Sequence, residues 1–492
     1  MSAESDLSES KNPGSTAAGK GSNTVIEIVS LYQAQSKIYP RSVSGLFARW
    51  RWGLVWFTQL LFYGLPWLQW NGRQAVLFDL ASRRFYIGGL VLYPQDFIYL
   101  TGLLMVSAYA LFLFTAVAGR LWCGFACPQT VYTEIFMWIE RQFEGDRQAR
   151  IKLDAAPWSA NKLLRKSGTQ LAWITVGLWT GFSFVGYFTP IKELWGEAFT
   201  LGFGPWEWFW VLFYGFATYG NAGFLREQVC KYMCPYARFQ SAMFDKDTLI
   251  IGYDAERGEP RGSRSKKTDL KAAGLGACID CTLCVQVCPT GIDIRKGLQY
   301  ECIGCAACID VCDGVMDKMD YPRGLIRYDT ENGLSEHLSP SQKLRRVFRP
   351  RVVIYSVILV LLCLSLLGSL LFLRSPVKLD VVRDRGVMAR LVEDGYIENL
   401  YRLQVMNATE QPQQFTVAVS GMEGVALARP VALTVGPAQA HWVNVAVRIA
   451  PEVAAWAGAG AHPIQFQLMR PQPADETAVQ AATEKSTFVV PR

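Results

Sequence analysis

The chain has 492 residues, enough for several domains, and its composition is typical of a membrane protein. Hydrophobic residues make up 51% of it and sixteen residues are tryptophan, more than a soluble protein of this size usually carries. The net charge of +7 is modest and the basic residues bunch in particular loops, so we expect no nucleic-acid partner. Only three histidines occur, none in an apolar segment, which excludes a transmembrane haem held by facing histidines.

Residues 1–30 precede the first apolar segment and are predicted to form a disordered cytoplasmic tail, without the pattern of a signal peptide. Five later segments are long and apolar enough to cross a bilayer, which needs about 20 residues. They are residues 52–70, 96–119, 168–188, 206–225 and 352–373. Residues 73–93 also contain apolar runs, but Arg83, Arg84 and Pro94 interrupt the pattern there, so we expect a non-cytoplasmic loop.

Loop charges predict the orientation of these spans. Residues 120–167 carry eight Lys and Arg, whereas the connection 189–205 carries only Lys192. The positive-inside rule therefore places the N-terminus and the basic 226–351 loop in the cytoplasm. The predicted organisation is a membrane bundle with its first four helices in 31–225, a cytoplasmic loop 226–351, a fifth helix 352–373 and an external domain 374–492.

Two matching cysteine pairs follow the second and fourth predicted spans, and each reads C-x3-C-P. Their repeated place indicates an internal duplication in which two helical hairpins present thiols at the cytoplasmic face. Cysteines four residues apart share a helix face, or point into a turn ahead of a helix that begins with proline, so the sulfurs could converge. We name this group the thiol quartet: Cys123, Cys127, Cys230 and Cys234.

Four convergent thiolates suit Cu(I), zinc or an iron–sulfur cluster. A redox-active dithiol is another interpretation, because Arg120, Arg226 and Lys231 lie close in sequence and would lower the thiol pKa values. A third interpretation assigns the quartet no function and treats its members as buried structural cysteines near helix ends. Thiolates stabilise Cu(I) relative to Cu(II), and a low-potential iron–sulfur cluster on the same face of the membrane could supply the electron that reduces Cu(II).

The segment from Cys278 to Cys312 holds eight of the thirteen cysteines as two copies of C-x2-C-x2-C-x3-C. In this spacing three thiolates of a run hold one [4Fe-4S] cluster and the fourth reaches across to the other. We name the predicted ligands the first cysteine set, Cys278, Cys281, Cys284 and Cys312, and the second cysteine set, Cys302, Cys305, Cys308 and Cys288. Zinc rarely takes ligands at this spacing, and disulfides do not suit the cytosol. We therefore predict a ferredoxin-type domain at about residues 268–320 with two [4Fe-4S] clusters.

Residues 374–492 change in character and contain no cysteine. Short alternating runs at 401–405, 415–419 and 442–447 are separated by Gly, Pro, Asn and Gln, a pattern typical of an antiparallel β-sandwich. The sequence indicates no function for this domain beyond binding or docking.

The motifs W-C-G-F-A-C-P-Q-T-V-Y-T-E and C-x3-C-P-Y-A-R-F-Q, with the two-cluster module and the external sandwich, resemble the CcoG family, also called FixG or RdxA. The resemblance begins near residue 30 and implies a multi-pass protein of the bacterial inner membrane with clusters in the cytoplasm and an Ig-like domain in the periplasm. It further implies reduction of Cu(II) to Cu(I) at the thiol quartet, for assembly of cbb3-type cytochrome c oxidase.

The partners so implied are the lipid bilayer, cbb3 oxidase subunits, copper-delivery proteins and an unidentified cytosolic electron donor; a homo-oligomer is compatible with the sequence. Two alternatives stay open. One is a quinol-linked electron-transfer subunit similar to NapH, in which copper plays no part. The other is an assembly scaffold whose sandwich docks oxidase subunits without catalysing a reaction.

Overall fold

The computed structural model describes residues 37–266, 274–384, 386, 389–472 and 475–491. From Tyr39 onward the described residues form one compact unit, to which residues 37 and 38 do not belong. The predicted disordered tail of residues 1–30 lies outside the described residues.

Helices occur at each of the five places where the sequence predicts an apolar span. Those before the cysteine-rich segment are α1 Leu46–Gly64, α2 Phe97–Ala118, α3 Leu121–Phe125, α4 Pro128–Glu144, α5 Arg147–Ala155, α6 Ala160–Val185, α7 Ile191–Thr200, α8 Pro205–Tyr219 and α9 Pro235–Met243. The last apolar helix runs over Pro350–Gly368 and continues as a π-helical turn to Leu373.

Two of these helices, Pro94–Ala118 and Pro350–Leu373, are long and apolar enough by themselves to cross a membrane. The other three candidates are less uniform: α8 has only fifteen residues, and α6 begins with a basic turn. The crossing of a bilayer by all five therefore stays a prediction. Helix α1 begins six residues before its predicted start. It ends at Gly64, where the 3₁₀ turn Leu65–Trp67 follows, because Pro66 does not continue an α-helix.

Glycines bring α6 and α8 into close contact. A Cβ on Gly177 would lie 2.8 Å from the carbonyl oxygen of Gly215, and a Cβ on Gly181 would overlap the carbonyl oxygen of Val211. Small residues of this kind let two helix backbones approach within a membrane, where packing rather than the hydrophobic effect drives association.

Helix α2 and the last apolar helix run antiparallel and connect the two ends of the molecule. Arg349, just before the last helix, donates to the carbonyl of Ala116 near the end of α2 at 2.6 Å. Arg374, just beyond the last helix, donates to the carbonyl of Val91 ahead of α2. The cysteine-rich module and the β-sandwich therefore lie at opposite ends of these helices.

The segment between α1 and α2 is more ordered than the predicted loop. It contains β1 Gln69–Trp70, β2 Arg73–Gln74, β3 Val76–Asp79, β4 Arg84–Ile87 and β5 Leu90–Leu92. The last three form an antiparallel sheet, and the turn between β3 and β4 contains Arg83 in the left-handed conformation at φ 54°. Its buried side chains, among them Tyr86 and Val91, pack against Met406 and Ala438 of the C-terminal domain.

The cysteine-rich module is closed by two strands outside the predicted 268–320 segment, β6 Ile250–Tyr253 and β7 Ile326–Asp329, which pair antiparallel. Its longest helix, Ala307–Met319, carries Asp310. The buried Asp310 carboxylate accepts from the backbone N–H groups of Phe47 at 3.1 Å and Ala48 at 2.7 Å. The module thus caps the first turn of α1 with a negative charge, where helix N–H groups have no partner within the helix.

The C-terminal domain is a sandwich of two antiparallel sheets, as predicted. Its strands are β8 Val377–Arg383, β9 Arg390–Leu391, β10 Ile397–Asn407, β11 Gln413–Ser420, β12 Ala426–Leu427, β13 Ala432–Val435, β14 Ala440–Ile449, β15 Gly460–Gln472 and β16 Asp475–Val490. One sheet has the order β12-β14-β10-β8 with β9 on β10, and the other has the order β13-β11-β15-β16. Alternate residues of both sheets, including Tyr401, Phe415 and Phe466, fill the core.

Candidate metal centres

The structure groups the eight module cysteines into the two predicted sets. Cys278, Cys281, Cys284 and Cys312 line one cavity, together with Tyr253 and Arg295. Cys288, Cys302, Cys305 and Cys308 line a second cavity, which Cys284 also touches. All thirteen cysteines of the chain lie within the described residues and all are free thiols.

The two cysteine loops share one backbone conformation. Asp280 and Thr282 flank Cys281 with φ of 51° and 54°, and Gly304 and Ala306 flank Cys305 with φ of 71° and 59°. Left-handed residues on both sides of the central cysteine curl the chain around the cavity and form concave nests that suit an anionic group. Thr282 and Ala306 adopt this conformation at a cost, since side chains other than glycine disfavour it.

This arrangement fits a cubane cluster better than a single ion. In the described part of the chain no three Cys, His, Asp or Glu side chains stand close enough to share one metal ion. A cluster spreads its four thiolates farther apart than a single zinc ion does. Burial raises the pKa of Cys302 and Cys312 to about 12, so these thiols keep their protons at neutral pH. A cationic centre that binds to them must therefore displace these protons.

The thiol quartet is built by two equivalent turns. Cys127 and Cys234 are each the extended residue before a helix that begins with proline, α4 and α9. The Cys127 N–H donates to the carbonyl of Trp122 at 3.0 Å, and the Cys234 N–H donates to that of Val229 at 2.8 Å. In both cases the acceptor is the residue before the first cysteine of the pair. The matched geometry agrees with the duplication predicted from the sequence.

The two pairs lie near each other. Each of the thiols of Cys123, Cys127, Cys230 and Cys234 is close enough to the other three to interact with them electrostatically. Burial raises the pKa of Cys123 to about 11 and of Cys230 to about 12, and it also raises the pKa of Cys127. The prediction that nearby basic residues lower these pKa values is therefore wrong for three of the thiols.

The basic residues named with the dithiol interpretation have other partners. Arg226 pairs with Glu140 at 2.6 Å, and Lys231 donates to the carbonyl of Thr290 at 3.0 Å. Arg120 does oppose the pKa increase of Cys123 and Cys230, but burial outweighs it. Desolvation dominates at this site because the turns are packed between helices and the cysteine-rich module.

Two glutamines connect the repeats reciprocally. Gln240 of the second repeat is fully buried, and its Oε1 accepts from the thiol of Cys123 at 3.4 Å. Gln129 of the first repeat donates to the carbonyls of Asn221 at 2.9 Å and Arg226 at 3.1 Å, which belong to the second hairpin. Sequence reasoning missed both glutamines, although their place shortly after each C-x3-C-P motif is a signal that could have identified them.

The thiol quartet also adjoins the second cysteine set. A Cβ on Gly124, next to Cys123, would lie 2.6 Å from the carbonyl oxygen of Gly304 in the Cys302–Cys308 loop. Cys230 packs against a small buried cluster that contains Cys305 and Ile303. The chemistry-bearing parts of the membrane bundle and of the module are therefore in direct van der Waals contact.

The buried Arg120 fastens this contact. Its guanidinium donates to the carbonyls of Tyr300 and, at 3.4 Å, Cys302 in the module. It also donates to the carbonyl of Ala237 at 2.6 Å and the hydroxyl of Ser241 at 3.0 Å, both on α9. One side chain from the first repeat thus holds the second repeat and the cysteine loop together.

Comparison with known proteins adds the family. Residues 225–331 match the family described as "4Fe-4S dicluster domain", and residues 367–491 match "IG-like fold at C-terminal of FixG". The chain is 37% identical to "Nitrogen fixation protein FixG" of Rhizobium meliloti, with 80% of each chain covered. It belongs to the FixG/RdxA family. The protein is accordingly an iron–sulfur protein of electron transfer, with an Ig-like domain at its C-terminus.

Further matches cover other parts of the chain. Residues 100–144, which include the first C-x3-C-P motif, match the family described as "4Fe-4S binding domain". The chain is also 40% identical to "Protein RdxA" of Cereibacter sphaeroides, over 80% of this chain and 84% of that one. A solved FixG-related protein from Vibrio parahaemolyticus covers 24% of this chain and 97% of its own, with 24% identity and a TM-score of 0.20.

Proposed function

We propose that this FixG/RdxA-family protein is a membrane-bound cupric reductase that supplies Cu(I) for assembly of cbb3-type cytochrome c oxidase. The observation that carries the proposal is the thiol quartet, in which two equivalent C-x3-C-P turns bring four thiols within electrostatic range of one another, with Cys230 beside the second cysteine set. The ligands are the eight module cysteines for two [4Fe-4S] clusters and the quartet for the copper substrate.

The thiols of the quartet are chemically suited to copper. Soft thiolates stabilise Cu(I) relative to Cu(II), and Cu(I) accepts low coordination numbers, so a quartet that is not drawn tightly together still suits it. The raised pKa values of Cys123 and Cys230 mean that copper displaces protons as it binds. When bound in the module, the clusters supply single electrons at low potential. Gln240 orients the Cys123 thiol by its hydrogen bond.

The proposal includes a membrane setting. All five helices cross the bacterial inner membrane, with the N-terminus and the module in the cytoplasm and the sandwich in the periplasm. The opposite placement of the two domains along α2 and the last apolar helix supports this arrangement. A cytosolic one-electron donor serves the module, and copper-delivery proteins and oxidase subunits are the partners on the way to the oxidase.

The test is anaerobic stopped-flow reoxidation of the dithionite-reduced protein by Cu(II), with a chelator that traps Cu(I). The variant with Cys123, Cys127, Cys230 and Cys234 all changed to Ser should keep its cluster absorbance and lose copper binding and rapid reoxidation. The matched control is Cys363→Ser, since this exposed thiol lies in the last helix away from the quartet. If the four-Ser variant reduces Cu(II) as fast as wild type, copper is handled elsewhere.

A second candidate has a specific observation in its favour: the match of residues 100–144 to a 4Fe-4S binding domain. Under it the quartet binds a third cluster, and the protein passes electrons to a quinone, similar to NapH. The iron content distinguishes the two candidates, because two [4Fe-4S] clusters give about eight iron atoms per chain and three give about twelve. Loss of about four iron atoms in the four-Ser variant would support this candidate and contradict the copper proposal.

A further inference from the structure

The two cysteine sets differ in their surroundings. The first set includes Cys281, which is exposed and flanked by the exposed Asp280 and Thr282. The second set includes the buried Cys305, in the cluster against which Cys230 packs. One set therefore opens to solvent and the other lies against the thiol quartet.

The contact between the second set and the quartet is short and well fixed. The Gly304 carbonyl, beside Cys305, is pressed against Gly124 and accepts from the Tyr328 hydroxyl at 2.5 Å. Arg120 adds hydrogen bonds to the same loop and to α9. Electron tunnelling falls off exponentially with distance and prefers bonded and packed paths over gaps, so this contact is the efficient route between module and quartet.

We propose that electrons cross the module in one direction, arriving at the first cysteine set and leaving from the second set to the thiol quartet through the contact of Gly124 with Gly304 and Cys305. This inference rests on the proposed function and adds the order of the two centres. Each step moves one electron: a reduced centre at the second set returns to its oxidised state as one Cu(II) becomes Cu(I). A low-potential one-electron donor supplies the electron in the cell, and dithionite supplies it in the experiment.

The experiment compares two half-loaded proteins in single-turnover reoxidation by Cu(II). One carries Cys278→Ala and Cys281→Ala and keeps the second set, and the other carries Cys302→Ala and Cys305→Ala and keeps the first set. After reduction by dithionite, the protein that keeps the second set should react within three-fold of the wild-type rate. The protein that keeps the first set should react at least ten-fold more slowly. Equal rates, or the reverse order, would overturn the proposal.

A second measurement does not involve copper. A gadolinium chelate is attached to Met233→Cys, an exposed position between Cys230 and Cys234, in half-loaded proteins where the quartet, Cys363 and the two remaining cysteines of the emptied set are Ser. The electron-spin relaxation of the reduced centre should be enhanced more in the protein that keeps the second set. The diamagnetic lanthanum chelate is the control. Stronger enhancement at the first set would overturn the order of the centres.

The two measurements separate the inference from the function on which it rests. If fully loaded wild type fails to reduce Cu(II), the proposed function falls, and the relaxation order alone decides which set faces the quartet. If a half-loaded protein fails to fold, fully loaded Gly124→Ala replaces it, because its added Cβ pushes the Gly304 carbonyl away. Gly124→Ala should slow reoxidation at least ten-fold, whereas Gly314→Ala, where a Cβ meets nothing within 4 Å, should not. Equal rates for these two variants would overturn the proposal.

Discussion

Asp310 connects the module to the membrane bundle by capping α1, and its removal has a predictable cost. In Asp310→Ala the N–H groups of Phe47 and Ala48 lose the carboxylate that accepts them at 3.1 and 2.7 Å. Loss of an N-cap costs about 0.5–2 kcal/mol, and a buried donor left unpaired costs about 1–3 kcal/mol. We expect a total of about 3 kcal/mol, because two donors and a favourable charge at the helix terminus are lost together.

Hydrogen exchange of the peptide that covers residues 45–50 measures this cost directly. A change of 3 kcal/mol corresponds to opening on the order of 100-fold more frequent, since about 1.4 kcal/mol is a factor of ten. Asp310→Asn should give a smaller increase because its amide keeps one acceptor oxygen. Asp320→Ala is the control, since it removes an ion pair with Lys266 in which both side chains are more than half exposed. An increase in Asp310→Ala no larger than in Asp320→Ala would refute the capping argument.

Three further predictions concern other parts of the fold. Asp96→Ala removes a buried carboxylate that pairs with Lys378 and, at 3.9 Å, with Arg374. Trypsin should therefore cleave the sandwich from the last helix more than about ten-fold faster than in wild type. The control Asp380→Ala, which loses one exposed hydrogen bond to Gln95, should leave the rate of cleavage unchanged. Gly181→Leu should lower the free energy of unfolding in detergent by about 2 kcal/mol or more, because the new side chain overlaps the Val211 carbonyl. Gly196→Ala should leave the free energy of unfolding unchanged, because nothing lies within 4 Å of its added Cβ. Burial favours the neutral form of Glu398, but hydrogen bonds from Arg448 and Arg390 overcome this and hold its pKa below the usual 4.5. Since the folded-state pKa is the lower one, this stabilisation is present above pH 4.5 and is lost as the pH falls through the folded-state pKa. The thermal midpoint of the sandwich should therefore fall in acid, and Glu398→Gln should show a flatter dependence on pH.

The sequence predicted well the features that depend on local patterns of residues. Apolar runs predicted where all five helices lie, although α1 and α6 begin six and eight residues before their predicted starts, and alternation placed strands β10, β11 and β14. Cysteine spacing predicted the four thiols that line the first cavity and four of the five that line the second, because the geometry of cluster ligation fixes both the run and the exchanged fourth cysteine. The ligation of metal by these thiols stays a prediction.

The features that were missed depend on contacts between distant residues. Asp310 caps a helix more than 260 residues before it, and neither segment alone contains a signal for the pairing. The sheet at residues 76–92 was missed because its strands have three or four residues and a pair of arginines at a turn interrupts the apolar pattern. The dithiol interpretation expected lowered thiol pKa values, whereas burial raises the pKa values of Cys123, Cys127 and Cys230, because sequence neighbours show nearby charge but not burial.

The reciprocal glutamines constrain when the quartet can exist during biosynthesis. Gln129 holds carbonyls of the second hairpin, and Gln240, more than a hundred residues later, contacts the first thiol. A nascent chain that has folded only its first hairpin therefore has a single C-x3-C pair with no partner to complete it. The quartet is complete only after the second hairpin has folded against the first, so a truncated protein has at most half of it.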